Sequence, residues 1–315
     1  MIDVVALGEL LIDFAAKSTD AAGYPTMAAN PGGAPGNFLA ALNAYGRKTA
    51  FLGKVGDDAF GHLLLGTLSR AGIETKGILV DDHFFTTLAF VTFDESGDRS
   101  FSFARKPGAD TQLSWEEIDK SLIDEARVFH FGTLSLTDEP VRTATQKAVA
   151  YAKEHGKLIT CDPNLRLPLW HNEEAAKEQM LWSLHQADVV KISDNEVEFL
   201  WGCTPEEGAD KLLSEFGVGL AMVTLGPDGC LLKTKNASFR AACPKVHPID
   251  TTGAGDIFGG SAVSRLLELE KPIDALTEAD LAYIGCFAAT AASLSTEASG
   301  GIPSIPKKSA VLKVI

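Results

Sequence analysis

The sequence lacks the short motifs that mark several common classes of enzyme. No G-x-G-x-x-G follows the first predicted strand, so dinucleotide binding and an NAD-dependent oxidoreductase are not expected. The absence of G-x-x-x-x-G-K-[ST] excludes a P-loop kinase, and the absence of G-x-S-x-G gives no sign of a hydrolase nucleophile elbow. The five cysteines are an odd number without a C-x-x-C pair, which argues against a disulfide framework and a structural zinc site.

Basic residues are scarce as well. Lys and Arg number 28 against 42 Asp and Glu, which gives a formal net charge of −14. An acidic surface repels nucleic-acid phosphates and anionic lipids, so neither nucleic acid nor a membrane is expected as a partner. The chain starts on a strand-like run without a basic segment before it, unlike a signal peptide, and the apolar stretch 281–294 is too short to span a bilayer. We therefore expect a cytoplasmic protein.

Apolar β-rich runs alternate with helix-like segments over most of the 315 residues. Such alternation predicts βαβ units, a mostly parallel sheet and helices on both of its faces, which is a three-layer α/β/α core. The predicted strands are Asp3–Leu7, Thr49–Lys54, Val128–Phe131, Leu158–Cys161, Val189–Ile192, Ala221–Thr224 and Gly229–Lys233. The predicted helices are Pro35–Tyr45, Phe60–Ala71, Val141–His155, Ala175–Gln186, Asn195–Gly202, Pro205–Glu215, Ile257–Leu269 and Glu278–Ser295.

Two segments break this alternation. Residues 13–30 and 86–104 contain strand-like runs with no helix between them, and in the second segment a turn is predicted at Glu95–Asp98 between two alternating runs. We interpret the two segments as a small inserted β lid. The α/β core then comprises residues 1–12, 31–85 and 105–315.

The strongest chemical motif is D-T-T-G-A-G-D, which runs from Asp250 to Asp256 just before a predicted helix. Gly253 and Gly255 permit a tight turn, and the amides from Gly253 through Ala254 to Asp256 would surround an anion at the helix N-terminus. Asp256 would lie beside that anion and could accept a proton from an attacking hydroxyl, as phosphoryl transfer requires. A capped helix after a glycine-rich turn explains the same residues without any chemistry.

Two further motifs offer partners for a polyhydroxylated ligand. The stretch G-G-A-P-G-N places Pro35 in the first turn of a helix and Asn37 where its amide could bind sugar hydroxyls. Asp13 follows a strand and could accept hydrogen bonds from two adjacent hydroxyls. A simple loop-to-helix turn and a plain strand end are the structural alternatives.

The second half of the chain holds candidates for phosphate, nucleotide and metal. Arg166 follows a buried strand and could bind phosphate, although a surface arginine is the simpler interpretation. Asn195 and Glu198 lie one helical turn apart and could hold water bound to Mg²⁺, or merely form a solvated face. Thr224, Gly226 and Gly229 join two strands, and their backbone could lie against a nucleotide or only close a hairpin.

Together these motifs resemble those of the ribokinase-like (PfkB) family of carbohydrate kinases and, within it, the bacterial fructokinases. The similarity covers nearly the whole chain. It rests on the run from Gly32 to Asn37, the G-D-D-A-F-G run from Gly56 to Gly61, and the run from Asp250 to Asp256. The stretches Phe103–Asp110 and Asp162–Arg166 are similar to those of the fructokinase branch.

This resemblance implies a role for each matching residue. Asp256 would be the catalytic base, with the amides from Gly253 to Asp256 as the anion hole. The sugar would be bound by Asp13, Gly32, Gly33 and Asn37, with Arg105 reaching in from the lid. Arg166 and Lys191 would lie near the phosphates, Asn195 and Glu198 would serve Mg²⁺, and Thr224, Gly226 and Gly229 would line the nucleotide region. A monovalent cation, K⁺ in many members, would be held by Asp250, Thr252, Ser295, Ala298, Gly300 and Ser304.

The resemblance also implies the reaction. ATP with Mg²⁺ would phosphorylate a sugar hydroxyl, with D-fructose giving fructose 6-phosphate as the first choice. Alternative acceptors are 2-keto-3-deoxygluconate and a nucleoside such as aminoimidazole riboside, and a different class is a non-catalytic sugar or nucleotide sensor. In some members the lid forms a dimer interface, so a homodimer is among the expected assemblies.

Overall fold

The computed structural model describes the backbone of residues 1–93 and 99–315, and their side chains except those of residues 92, 93 and 99–101. The strands are β1 Ile2–Leu7, β2 Leu11–Thr19, β3 Pro25–Gly32, β4 Thr49–Gly56, β5 Ile78–Asp81, β6 Leu88–Phe93, β7 Arg99–Ala104, β8 Ala126–Gly132, β9 Leu158–Asp162, β10 Val189–Ser193, β11 Leu220–Thr224, β12 Cys230–Lys233 and β13 Ser238–Ala241. The α-helices are α1 Ala34–Ala44, α2 Ala59–Arg70, α3 Lys120–Glu125, α4 Val141–Glu154, α5 Glu173–Gln186, α6 Asp194–Trp201, α7 Pro205–Ser214, α8 Ala254–Leu269, α9 Glu278–Ser295 and α10 Lys308–Val311.

A nine-stranded sheet runs through the core in the order β13-β12-β11-β10-β9-β8-β1-β4-β5. The strands from β11 to β5 are parallel to their neighbours, and β12 and β13 extend the sheet as antiparallel strands. Each of the seven strands and eight helices predicted for the core is present, so the predicted α/β class is confirmed. The short elements β5, β13, α3 and α10 were not predicted from the sequence.

Helices cover both faces of this sheet because side chains of successive strand residues point to opposite sides. On β1, Val5 and Leu7 belong to a cluster with residues of α3 to α7. Val4 and Ala6 belong to a cluster with α1, α2 and α8 on the other face. A third cluster packs α8 and α9 against β10, β11 and β12. Three layers result, as predicted.

A second, four-stranded sheet has the order β3-β2-β6-β7, with β2 and β6 parallel and the outer pairs antiparallel. We call it the lid sheet. Its strands correspond to the two segments interpreted as an insertion, although β2 begins two residues before Asp13 and β3 extends through Gly32. The turn predicted at Glu95–Asp98 lies outside the described residues.

Within the described residues, no helix has both the length and the apolar character needed to cross a lipid bilayer.

Candidate active site

The carboxyl ends of the parallel strands lie side by side, which is where open α/β sheets bind ligands. In the register of the sheet, Gly132 of β8 is paired with Asp162 of β9, and Ser193 of β10 is paired with Thr224 of β11. Residues far apart in sequence therefore meet along one edge of the sheet. This edge is where the chemical motifs of the second half of the chain come together.

A buried ion pair lies at this edge. Lys191 Nζ is 3.0 Å from Asp162 Oδ2, and both side chains are buried. Burial alone would lower the pKa of Lys191, but the carboxylates of Asp162, Glu196 and Asp256 outweigh it and raise that pKa. A Cβ added at Gly255 would lie 2.9 Å from Nζ. The fixed positive charge of Lys191 therefore lies against the glycine-rich turn, where sequence analysis expected phosphate.

Helix α8 begins at this turn without a side-chain cap. Gly253 occupies the cap position with φ of 76°, which favours glycine, and no described side chain accepts a hydrogen bond from the first amides of the helix. The Ala254 amide is 3.3 Å from the Thr251 carbonyl oxygen, and the Ile257 amide donates to the Gly253 carbonyl. The uncapped amides of Gly255 and Asp256 are the donors that an anion at this terminus would use.

Asp256 is held by Asn37 from the first half of the chain. Asn37 Nδ2 donates to Asp256 Oδ2 at 2.9 Å. Its other polar atom, Oδ1, is buried and has no hydrogen-bond partner among the described residues. Gly253 and Gly301 clear the space for this amide, since a Cβ at either residue would approach it within 3.1 Å. An unpaired acceptor beside a carboxylate is suited to a ligand hydroxyl.

The electrostatics of the site suit a general base. Burial raises the pKa of Asp256, while the Asn37 hydrogen bond and the charges of Lys191 and Arg166 oppose this rise, and Asp13 adds to it. Asp256 and the four residues that act on it thus bring together five of the residues predicted from sequence. A partly buried carboxylate with a raised pKa is typical of acid–base catalysis.

The loop that carries Arg166 is fixed by Glu196, which sequence analysis missed. Glu196 Oε1 accepts a hydrogen bond from the Leu165 amide, and its Oε2 completes a capping box with Ser193 at the start of α6. The S-x-x-E spacing of Ser193 and Glu196 is a capping-box signal and could have revealed the contact between these two residues at the start of α6. Arg166 is partly buried, and its Nη1 donates to the Leu165 carbonyl.

Asp13 lies on β2 of the lid sheet, opposite β3. A Cβ added at Gly32 would lie 2.1 Å from Asp13 Oδ2, so the carboxylate occupies the space that the glycine leaves. Burial raises the pKa of Asp13 to about 6, opposed by the Arg166 charge. Gly32 is thus required by the position of Asp13, and Asp13 is electrostatically coupled to the residues around Asp256.

The start of α1 is positioned by Glu9, which the motifs did not indicate. Gly33 caps the helix with φ of 110°, and a Cβ there would lie 2.5 Å from the Glu9 backbone oxygen. The buried Glu9 Oε1 accepts a hydrogen bond from the Ala34 amide at 2.9 Å. Phe38 stacks on His130 with ring centroids 3.7 Å apart and contacts α8, which sets Asn37 against Asp256.

Arg105 lies in the core in this structure, and its role in sugar binding stays a prediction. The side chain is buried, and its guanidinium donates to Asp110 Oδ2, Thr137 Oγ1 and the Leu134 carbonyl at 2.8 Å each. Its nitrogens are therefore directed at protein acceptors and not into the space near Asp13. The sequence pattern could not reveal this because the partners come from two separate stretches of the core.

The turn after β11 contains the residues predicted for the nucleotide region. Gly226 has φ of 55°, and a Cβ there would meet no atom within 4 Å in the part of the chain that the structure describes. Gly229 has φ of 101°, and a Cβ there would collide with the Ala241 carbonyl. Thr224 Oγ1 is 3.4 Å from the Ile192 carbonyl. Backbone geometry accounts for Gly229, and a role of this turn toward nucleotide stays a prediction.

Asn195 and Glu198 are both exposed on α6 and line an open cleft of about 460 Å³ together with Asp194 and Glu207. Carboxylate and amide oxygens are the donors that Mg²⁺ prefers, so the chemistry of this donor set fits the cation. Whether the pair holds water bound to Mg²⁺ stays a prediction.

The residues predicted for a monovalent cation lie on two adjoining segments. Asp250 Oδ1 accepts from the Thr252 amide and hydroxyl, and Oδ2 accepts from the Gly300 amide at 3.0 Å. The hydroxyls of Ser295 and Ser304 donate to carbonyls in their own turns, and the Ala298 amide donates to the Ser295 carbonyl. Loop 295–304 is thus bound to the start of the D-T-T-G-A-G-D motif.

The family is decided by comparison with known proteins. The model of the pfkB family of carbohydrate kinases matches residues 1–308. This chain belongs to the pfkB family of carbohydrate kinases. The ribokinase-like fold expected from the motifs is thereby confirmed, and so is the class of enzyme, a phosphotransferase that acts on a sugar hydroxyl.

Relatives of this pfkB kinase include fructokinases. Fructokinase-2 of Solanum lycopersicum is 40% identical over 316 residues, which cover 99% of this chain and 95% of its own. The crystal structure of the Xylella fastidiosa fructokinase with bound ATP has a TM-score of 0.90 and 28% identity, covering 100% of this chain and 98% of its own. That of the Vibrio cholerae O395 fructokinase with fructose, ADP and calcium ion has a TM-score of 0.86 and 31% identity, covering 99% of each chain.

Proposed function

We propose that this pfkB kinase transfers the γ-phosphoryl group of ATP to D-fructose, giving fructose 6-phosphate. The observation that carries the proposal is the Asp256 carboxylate, which lies at the uncapped N-terminus of α8, accepts a hydrogen bond from Asn37 and has the Lys191 ammonium nearby. Phosphoryl transfer needs an oriented nucleophile and a preorganised site for charge, and this arrangement offers both.

In the proposed reaction Asp256 accepts the proton of the attacking hydroxyl as its oxygen bonds to the γ-phosphorus. The bond from that phosphorus to the bridging oxygen breaks, and ADP leaves with the electron pair. The amides of Gly255 and Asp256, together with Lys191 and Arg166, would stabilise the charge on the transferred group. The lid sheet would exclude water that could otherwise hydrolyse ATP.

Fructose is the acceptor that the relatives favour. The Solanum lycopersicum relative is named a fructokinase, and the Vibrio cholerae O395 neighbour was crystallised with fructose. Asp13 and the unpaired Asn37 Oδ1 offer acceptors for sugar hydroxyls on the lid side and the core side of Asp256. 2-Keto-3-deoxygluconate and aminoimidazole riboside are less favoured, since none of the relatives described above is named for either compound.

Two cations complete the proposal. Asn195 and Glu198 would hold Mg²⁺ through water, and the cation would supply Lewis-acid neutralisation of phosphate charge when bound. Asp250 and the backbone of loop 295–304 would hold K⁺, for which oxygen donors are suitable. We further propose a homodimer, which sedimentation velocity would detect as a mass of twice 33.4 kDa.

The test is an ADP-release assay with ATP, Mg²⁺ and a panel of acceptors that includes fructose, ribose, 2-keto-3-deoxygluconate and nucleosides. We expect the highest kcat/KM with fructose and phosphate on its C6 oxygen by NMR. A higher kcat/KM with another acceptor would replace fructose but keep the kinase. If no acceptor stimulated ADP release while fructose and ATP both bound in calorimetry, the non-catalytic sensor would be the correct reading.

A further inference from the structure

Four chain segments connect the core to the root of the lid sheet. They are residues 8–10 before β2, residue 33 after β3, residues 82–87 before β6 and residues 105–108 after β7. Three of the four carry buried polar side chains, namely those of Glu9, Thr86, Thr87 and Arg105. Buried polar groups need partners, so the root of the lid sheet is where its orientation toward the core is set.

Asp110 binds two of these segments at once. Thr87 Oγ1 donates to Asp110 Oδ1 at 2.5 Å, and Arg105 Nε donates to Asp110 Oδ2 at 2.8 Å. Thr87 is the residue before β6 and Arg105 is the residue after β7. A single carboxylate in the core therefore holds the start of β6 and the end of β7, which lie side by side at the base of this antiparallel pair. All three side chains are at least 95% buried.

Arg105 extends this contact into the core. Its Nη1 donates to Thr137 Oγ1 and its Nη2 to the Leu134 carbonyl, both in the segment that follows β8. Gly108 leaves the space for the cluster, since a Cβ there would lie 1.9 Å from Thr87 Oγ1 and 2.8 Å from Asp110 Oδ1. The bidentate character of the guanidinium fixes an angle as well as a distance, which an ammonium could not do.

The cluster also touches the other half of the lid sheet. The Thr87 carbonyl accepts a hydrogen bond from the Ile12 amide at the start of β2. Thr87 therefore connects β2, β6 and the core carboxylate. Any rotation of the lid sheet about its root must break or rearrange the contacts of this residue.

We propose that Arg105, Asp110 and Thr87 form a positioning cluster that fixes the angle of the lid sheet over the sugar site. Arg105 then acts on the reaction through the lid and not through contact with the sugar. The proposal rests on the proposed function only in taking the lid sheet as the cover of the sugar.

The first test measures amide hydrogen exchange in the Thr87→Val variant without any sugar. Loss of a buried hydrogen bond to a carboxylate should speed exchange at Leu88–Val91 and Ile12–Ala15 by about 10- to 100-fold. Exchange in β9 and β10 should not change, and Thr87→Ser should restore the lid protection. Thr145→Val is the matched control, because among the described residues its buried hydroxyl donates to the carbonyls of Val141 in α4 and of Ser135, away from the lid sheet.

Unchanged lid exchange, or equal acceleration in β9 and β10, would overturn the proposal and leave Thr87 a general structural residue. Because this measurement needs no acceptor, it decides about the cluster even if fructose is not the substrate.

The second test separates positioning from sugar contact with the Arg105→Lys variant. We expect the variant to lose about 10-fold or more in kcat/KM with fructose. The same factor should be lost with analogues of fructose that each lack one hydroxyl. If one analogue abolished the difference between variant and wild type, Arg105 would contact that hydroxyl and the proposal would be wrong.

Discussion

Replacing Gly32 with alanine tests the link between the lid sheet and sugar binding. Gly32 does not adopt a positive φ, so the substitution brings no backbone strain. Its added Cβ would lie 2.1 Å from Asp13 Oδ2, 3.0 Å from Asp13 Cγ and 3.2 Å from Leu11 Cδ1. Ordinary contacts between heavy atoms begin near 3.5 Å, so the Asp13 carboxylate must move by more than about 1 Å.

The size of the effect follows from that displacement. A hydrogen bond to a charged group contributes about 1.5–3 kcal/mol, and a shift of about 1 Å removes it. Loss of one such bond between Asp13 and a sugar hydroxyl corresponds to a rise of about 10- to 100-fold in KM for the sugar. The KM for ATP should not change, because Asp13 is proposed to contact only the sugar.

The assay is steady-state ADP release with fructose and ATP varied in turn. Gly66→Ala in α2 is the matched control, since among the described atoms its Cβ would meet the flexible end of Arg70 and nothing else. The double variant Gly32→Ala with Asp13→Asn should have a sugar KM no higher than that of the more impaired single variant, because both changes remove the same interaction. Additive losses, or an unchanged sugar KM in Gly32→Ala, would refute the reasoning.

Two further predictions concern the carboxylates. Asp256→Asn should lower kcat by about 10²- to 10⁴-fold and keep its affinity for ATP in calorimetry. As a control, replacement of an exposed carboxylate in Asp274→Asn should leave kcat at the wild-type value. Activity of Asp256→Asn within a few-fold of wild type would rule out Asp256 as the general base. Burial raises the pKa of Asp256 and raises that of Asp13 to about 6. Because both groups act in the ionised form, kcat and kcat/KM should fall as pH decreases, and kcat/KM for the sugar should lose about tenfold per unit below pH 6 through Asp13 alone. Rate profiles between pH 5 and 8 check this. If kcat/KM for the sugar fell with decreasing pH to the same extent in Asp13→Asn, the fall would belong to another group.

The fold was predictable because its signals are local. The core strands are runs of buried apolar residues, and helices such as α9 begin at a capping box that starts at Thr277. The missed strands β5 and β13 have four residues each, and each shows only one buried position. So short a run carries too little periodicity to be recognised, and these strands form because the sheet edge supplies partners.

The site was predictable only where one stretch of sequence contains all the groups that act together. The turn from Asp250 to Asp256 holds its glycines, its amides and its carboxylate together, and the structure keeps them together. The hydrogen-bond partners of Arg105 were not predictable, because its acceptors, Thr137 and Asp110, lie on core segments that sequence alone does not bring to the lid.

The charge of the anion site depends on strand register, which explains why its details were not visible in the sequence. Asp162 and Lys191 come from neighbouring parallel strands and meet because Val190 is paired with Cys161. A shift of one residue would turn Lys191 to the other face of the sheet, away from Gly255. Isolated in the interior, an ammonium would lose its proton, but the surrounding carboxylates keep it charged. The positive charge next to α8 is thus a product of the α/β topology, and the pfkB motif acquires its electrostatics only when the sheet is assembled.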